Sequence, residues 1–175
     1  MKSIYLTGFL LLNIFVVGQN YPFETMTVRE GLPTNDVYAI AKDASGCMWF
    51  GCSNALVKYD GYRMESFTAN DGMVASAVSA LACDEDGNVW IGHGADGISV
   101  YRNGKFEKFA AKDAGQNFIS ALLAYDGYLY ALQNKKSVRA LDMANGKEVS
   151  RIDSQNDVVP YCMARPSGAY NSKGI

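Results

Sequence analysis

The sequence predicts an all-β fold: a partial β-propeller of four-stranded antiparallel blades in an incomplete ring. Short apolar runs are separated by Asp-Gly and Asn-Gly pairs, which is typical of strands joined by tight hairpins. The pattern recurs about every 40 residues, the length of one propeller blade. No long stretch of the chain has the period of an amphipathic helix, and this favours strands.

Two interleaved series of turn glycines set the repeat. Two hairpins in each period indicate four strands per unit. We therefore expect blades at about residues 31–70, 71–112 and 113–153, and we expect their first strands to open at Val37, Val78 and Ile119. The first series is Gly46, Gly87, Gly127 and Gly168, and the second is Gly61, Gly104 and Gly146.

Residues 78–101 form the clearest unit and indicate how blades pack. Val89 and Ile91 point to one face of their strand and Trp90 to the other, because side chains alternate along a strand. Both faces are apolar, so we expect the strand to lie between two neighbouring blades. For the tryptophans we favour this packing role over that of a ligand platform. The predicted blade-core residues are Trp49, Trp90, Tyr130, Gly51 and Gly92.

The N-terminus has the composition of a secretory signal peptide. Lys2 supplies a positive charge, residues 4–17 are mostly apolar, and cleavage is expected before Gln19. The apolar run is short for a membrane helix of about 20 residues, so a cleaved signal is favoured over an uncleaved anchor. We expect residues 1–18 to be the signal peptide and residues 19–175 to be periplasmic or extracellular.

Both ends of the mature chain match parts of the repeat. Residues 21–31 match residues 62–72, so 21–28 is predicted to be the outer strand of a blade that lacks its other strands. Residues 154–175 begin a fourth unit, with Val159 in register, and stop before its Trp-x-Gly strand. We expect a truncated product, a fragment or an incomplete gene model, whose missing blades belong to a longer protein.

The four cysteines are Cys47, Cys52, Cys83 and Cys162. An exported chain permits disulfides, but Cys47 and Cys52 bracket one strand, whose ends are too far apart to be bridged. We interpret the cysteines mainly as small, half-buried apolar residues and leave their disulfide status open.

Several classes of function lack their sequence signals. The formal net charge is −2 and no basic run is present, so no nucleic-acid partner is expected. With one histidine in the chain, a metal site is disfavoured. The sequence shows no Ser-His-Asp set, paired carboxylates or phosphate-binding loop, so no catalytic residue and no cofactor are predicted.

Two loops carry candidate ligand-binding residues. His93 and Asp96 lie in the loop after the Trp-Ile-Gly strand, and Asn54 lies in the comparable loop of the first unit. Loops on a rigid scaffold often carry ligand contacts, which makes these residues a candidate site. Polar capping of the loop is the favoured alternative.

Residues 84–88, Asp-Glu-Asp-Gly-Asn, partly match the start of a calcium-binding loop. They lack its residue order and its distal glutamate. A hairpin turn accounts for the same residues and is the favoured interpretation.

Residues 31–51, GLPTNDVYAIAKDASGCMWFG, followed by 55–62, ALVKYDGY, resemble the two-component regulator propeller repeat. Cys52 and Ala55 depart from it, where threonine and glycine are usual. The second unit repeats the pattern well. The third is degenerate, with Tyr130 in place of tryptophan and Leu132 in place of glycine.

The resemblance implies a function in signal transduction. Such propellers form the periplasmic N-terminal half of sensor histidine kinases and hybrid regulators of Bacteroidetes-like bacteria, where they resemble receptors for carbohydrate fragments or other cues. The kinase parts are absent from this sequence. It is therefore expected to bind an extracellular ligand, such as an oligosaccharide, without catalysis, and to form a homodimer in the intact protein.

Two other functions remain open. An exported propeller can act as a scaffold for protein contacts in secretion or surface machinery. A propeller glycosidase or lyase is less favoured, because it needs acidic residues that project into a central channel, and the sequence offers no convincing pair.

Overall fold

The computed structural model describes residues 25–109, 118–134 and 136–153 and confirms the predicted all-β fold. Its strands form three four-stranded antiparallel sheets, each with its strands in chain order. The predicted signal peptide, residues 1–18, and the predicted fourth unit, residues 154–175, lie outside the described residues.

The three sheets correspond to three successive blades. Blade 1 contains β1 (Val37–Lys42), β2 (Met48–Cys52), β3 (Leu56–Tyr59) and β4 (Met64–Phe67). Blade 2 contains β5 (Ala80–Cys83), β6 (Val89–Gly92), β7 (Ile98–Arg102) and β8 (Lys105–Phe109). Blade 3 contains β9 (Ile119–Tyr125), β10 (Tyr128–Gln133), β11 (Ser137–Asp142) and β12 (Glu148–Asp153).

The first strands of the three blades lie next to one another. Strand β5 contacts β1 on one side and β9 on the other. This is the arrangement of inner strands around a propeller axis. The described sheets do not close into a ring, in agreement with the predicted partial propeller.

Two-residue hairpins join β9 to β10 at an Asp-Gly pair and β7 to β8 at an Asn-Gly pair. Asp126 and Gly127 join β9 to β10 with φ angles of 50° and 77°, and Asn103 and Gly104 join β7 to β8 with φ angles of 51° and 75°. Paired positive φ angles match the right-handed twist of the flanking strands. Asparagine, aspartate and glycine tolerate them best.

A second repeated feature precedes the inner strand of blades 1 and 2. Two short 3-10 helices, Val28–Glu30 and Ala69–Asp71, are each closed by a capping box that begins at a threonine. Residues 27–31 and 68–72 thus have the same local backbone structure. This agrees with the sequence match between residues 21–31 and 62–72. Of the predicted outer strand, residues 21–24 lie outside the described chain and residues 25–27 have no strand assignment.

Apolar clusters fill the spaces between the blades. Trp49 of blade 1 is fully buried against Val89 and Ile91 of blade 2. Trp90 of blade 2 is buried in the cluster that joins blades 2 and 3, and its ring lies 4.8 Å from that of Phe109. Large rings that exclude water from both interfaces account for much of their stability.

Glycines allow the closest approach between blades. A Cβ atom on Gly51 would lie 2.6 Å from Cγ1 of Val78, and one on Gly92 would lie 2.9 Å from Cγ2 of Ile119. The backbone N–H of Val78 donates to the carbonyl of Cys52 in the preceding blade at 2.9 Å. Because this bond leaves its own sheet, β5 begins at Ala80, although the sequence predicts Val78.

In blade 3 the aromatic residue at the tryptophan position is less enclosed. Tyr130 is half-buried, and its ring packs edge-on against Tyr128 with centroids 6.5 Å apart. Leu132, which replaces the glycine, is buried.

Cys47 and Cys52 are free thiols; Cys47 and Cys83 are half-buried and Cys52 is fully buried. Burial, together with the nearby Asp36 carboxylate, raises the pKa of the Cys52 thiol. Cys162 lies outside the described residues.

Candidate ligand cleft

The candidate site lies at the end of the blades where the inner strands begin. Strand pairing brings these beginnings beside the loops that join each second strand to the third: Val37 pairs with Cys52, Ala80 with Gly92, and Ile119 with Gln133. Loops from all three blades therefore meet at one end of the described structure.

A cleft of about 490 Å³ opens at this end. Blade 1 contributes Tyr38, blade 2 contributes Val78, His93, Gly94 and Asp96, and Phe118 precedes the first strand of blade 3. Packing of successive blades therefore builds the cleft, and no single repeat unit contains it.

His93 forms part of the floor, where it is 1% exposed. Its Nδ1 lies 2.9 Å from the carbonyl oxygen of Ala77, and its Nε2 lies 2.8 Å from Oγ of Ser99. A carbonyl only accepts, so Nδ1 carries the proton and Nε2 accepts from the Ser99 hydroxyl. The same hydroxyl oxygen accepts from the backbone N–H of Val74 at 2.9 Å.

Burial keeps the His93 ring neutral. Loss of hydration lowers the pKa of His93 below its ordinary value, although the Ala77 carbonyl and the Asp96 carboxylate oppose this shift. The neutral ring connects Ala77, which precedes β5, to Ser99 of β7 through bonds at both nitrogens, and it is therefore part of a rigid base.

Ser79 completes the floor. Its hydroxyl lies 3.1 Å from the carbonyl oxygen of Gly92 and 2.8 Å from that of Ile119, to which it donates, and it accepts from the N–H of Gly94 at 2.8 Å. These bonds connect blade 2 to blade 3 beneath the cleft. The polar groups of the floor are thus engaged within the protein.

The walls are aromatic and open to solvent. Tyr38 is 63% exposed and Phe118 is 52% exposed. The backbone of Phe118 is held by Asn134, whose side-chain oxygen accepts from the Phe118 N–H at 2.8 Å and whose own N–H donates to the Phe118 carbonyl at 2.8 Å. The missing side chain of Gly94 leaves room for the Phe118 ring, which would lie 3.1 Å from a Cβ atom there.

The structure brings two of the three candidate residues to this cleft. His93 lies in the floor with both nitrogens engaged, and Asp96 is exposed at the rim. Asn54 is exposed in the loop of blade 1 and does not line the cleft. The aromatic walls were not predicted from the sequence. Both lie beside residues that open a first strand: Tyr38 directly follows Val37, and Phe118 directly precedes Ile119.

In the loop at residues 84–88, the first carboxylate is hydrogen-bonded within the protein. Asp84 accepts from the backbone and side-chain nitrogens of Asn88, each at 2.8 Å, and from Nε1 of Trp90 at 2.9 Å. Within the described ranges, no group of three or more His, Cys, Asp or Glu side chains is arranged to hold a metal ion.

Comparison with known families identifies the repeat. The family described as two component regulator propeller matches residues 31–54 and 72–95, which begin just before blades 1 and 2 and end in the loops after their second strands. Two segments of this chain carry the two-component regulator propeller repeat. Both matched copies of the propeller repeat contain the close-packed glycine and the buried tryptophan described above.

Solved structures with a similar fold include extracellular domains of bacterial regulators. The extracellular domain of a hybrid two-component system from B. thetaiotaomicron matches with 20% identity and a TM-score of 0.64, over 75% of this chain and 20% of that one. That of a one-component system from the same organism matches with 19% identity and a TM-score of 0.56, over 74% and 17%. The WD40 repeats of RRP9 match with 13% identity and a TM-score of 0.55, over 68% and 39%.

These likenesses establish the fold of the propeller repeats. The chain spans about a fifth of the length of the two extracellular domains. Comparison with curated proteins gives no match. Among the described residues, no helix has the length and apolar character needed to cross a membrane.

Proposed function

We propose that this chain is an exported, ligand-sensing segment from the extracellular region of a two-component regulator, and that its ligand is a carbohydrate bound in the cleft. One observation carries the proposal: two exposed aromatic rings, Tyr38 and Phe118, flank a floor whose polar groups are already hydrogen-bonded.

The chemistry of the cleft suits a sugar ring. A pyranose presents a face of C–H groups, which packs favourably on an aromatic surface when water is displaced. Its hydroxyl groups need polar partners at the rim, and the Asp96 carboxylate is one. Small-molecule sites are typically apolar, with few polar groups that fix orientation.

The arrangement supports binding without chemistry. Both nitrogens of His93 are committed to Ala77 and Ser99, so the ring is not placed to act as a general base. Because the walls come from different blades, a bound ligand would favour one relative position of the blades over others. In a longer protein this preference would be passed on to a kinase or regulator part.

Thermal unfolding of the full chain with a panel of neutral, amino and acidic oligosaccharides tests the proposal. A ligand of the folded state raises the unfolding midpoint. We expect at least one oligosaccharide to do so, and Phe118→Ala to abolish the shift. Tyr62→Ala removes a ring that is 94% exposed outside the cleft, and it should leave the shift unchanged.

A flat response to every oligosaccharide would reject the carbohydrate sensor. Binding to another protein under the same conditions would then favour an exported scaffold.

A further inference from the structure

The described side chains that line the cleft carry negative charge and no positive charge. Asp96 is exposed at the rim, and none of the described residues that line the cleft is lysine or arginine. His93 is buried beneath and bonded through both nitrogens. Among the described residues, an ionic ligand group in the cleft therefore meets a carboxylate and two aromatic faces, and no positive side chain.

We propose that the cleft selects sugar rings that bear an ammonium group, so that its ligand is an amino sugar. The inference rests on the proposed function and names its ligand class. The Asp96 carboxylate attracts an ammonium group and repels a sugar carboxylate or sulfate. The π-faces of Tyr38 and Phe118 also attract cations, since an aromatic ring is negative over its face.

The strength of the preference follows from exposure. Asp96 is open to water, so an ion pair there is screened and contributes modestly. An ammonium sugar should bind about threefold more tightly than its neutral counterpart. A carboxylate sugar should bind about threefold more weakly than the neutral one, because its repulsion by Asp96 has the same magnitude as the attraction of the ammonium group.

Three trisaccharides with the same β-1,4-linked gluco backbone provide the test: the trimers of glucosamine, glucose and glucuronate. Titration calorimetry on the full chain at about pH 6, which keeps the sugar amine protonated, gives the affinities. We expect the order glucosamine, glucose, glucuronate, with about a tenfold span that shrinks as salt is added.

Asp96→Asn should narrow the span of affinities, because it deletes the charge, keeps the size of the side chain and leaves only the aromatic faces to attract the ammonium group. Asp86→Asn, also exposed but in a hairpin outside the cleft, is the matched control and should keep the full span. Equal affinities in the unaltered protein, a preference for glucuronate, or an unchanged span in Asp96→Asn would overturn the amino-sugar inference while leaving the sugar sensor intact. Failure of all three trimers and of the wider panel would reject both.

Discussion

The Asp84 carboxylate accepts a hydrogen bond from the indole nitrogen of Trp90 at 2.9 Å, and Asp43 and Trp49 repeat this bond at 2.7 Å. Each pair ties the loop between the first two strands to the tryptophan that fills the interface with the next blade. In blade 3, Ala124 and Tyr130 occupy these two positions, so both partners change together. The bond therefore explains why aspartate and tryptophan accompany each other in the repeat.

Asp84→Ala should lower the free energy of unfolding by about 2 kcal/mol, because it leaves the nearly buried indole N–H without an acceptor. Urea unfolding followed by tryptophan fluorescence measures this loss. Asp86→Ala, in the same hairpin but exposed, is the control and should cost less than about 0.5 kcal/mol. Equal costs for the two variants would show that the Asp84 bond contributes nothing specific.

Stability should decrease as the pH falls below 6.5, the ordinary pKa of histidine. The folded state lowers the pKa of His93, so the unfolded chain takes up the proton first. The free energy of unfolding therefore falls as the pH drops from 6.5 to the lowered value. Unfolding midpoints in urea from pH 8 to pH 5 measure this dependence.

His93→Gln should flatten the pH dependence, whereas Asp96→Asn should steepen it, since the Asp96 carboxylate favours the charged ring. Burial alone would raise the pKa of Asp43, but its hydrogen bonds lower this pKa overall. The stability that Asp43 contributes is therefore lost only when the pH falls below the ordinary carboxyl range. An unchanged slope in His93→Gln would assign the effect to another group.

Gly51→Ala should destabilise the fold by about 1–3 kcal/mol, because its new methyl group overlaps Val78 of the next blade. Gly51 has no positive φ, so the cost is one of space and not of backbone conformation. Val78→Ala in the same chain should relieve the overlap. A double-mutant cycle on unfolding free energies should give a favourable coupling of about 1 kcal/mol, and a coupling near zero would contradict the steric explanation.

Cys47 should react with a maleimide at least about tenfold faster than Cys52, whose modification requires local opening. Cys52 is 0% exposed, and burial raises its thiol pKa. Mass spectrometry of a Cys83→Ser, Cys162→Ser chain gives both rates, and denaturant should make them similar. Equal rates in the folded protein would place Cys52 at the surface.

The sequence predicted what depends on local pattern. Alternating apolar residues and Asp-Gly pairs specify strands and hairpins directly, which is why the antiparallel sheets and their order were recoverable. The start of β5 was misplaced by two residues, because the Val78 N–H bonds to a neighbouring blade. A single-sequence pattern does not contain that bond.

The cleft escaped prediction because its walls are far apart in the chain. Tyr38 and Phe118 meet only when three inner strands pack side by side. A signal was nevertheless present: the positions directly before the opening residues are Asp36, Ala77 and Phe118 and differ in every unit, while the opening residues themselves stay apolar. Among repeats, variation beside a constant position is a useful indicator of a binding surface.

The missing methyl groups of Gly51 and Gly92 have a geometric consequence for any larger assembly of these sheets. Such close inner edges allow neighbouring sheets to diverge towards their outer strands. A bulkier residue there would part the inner edges, bring adjacent sheets nearer to parallel and increase the number required for a full circle. The absence of side chains at Gly51 and Gly92 thus helps to set the number of sheets that a closed ring needs.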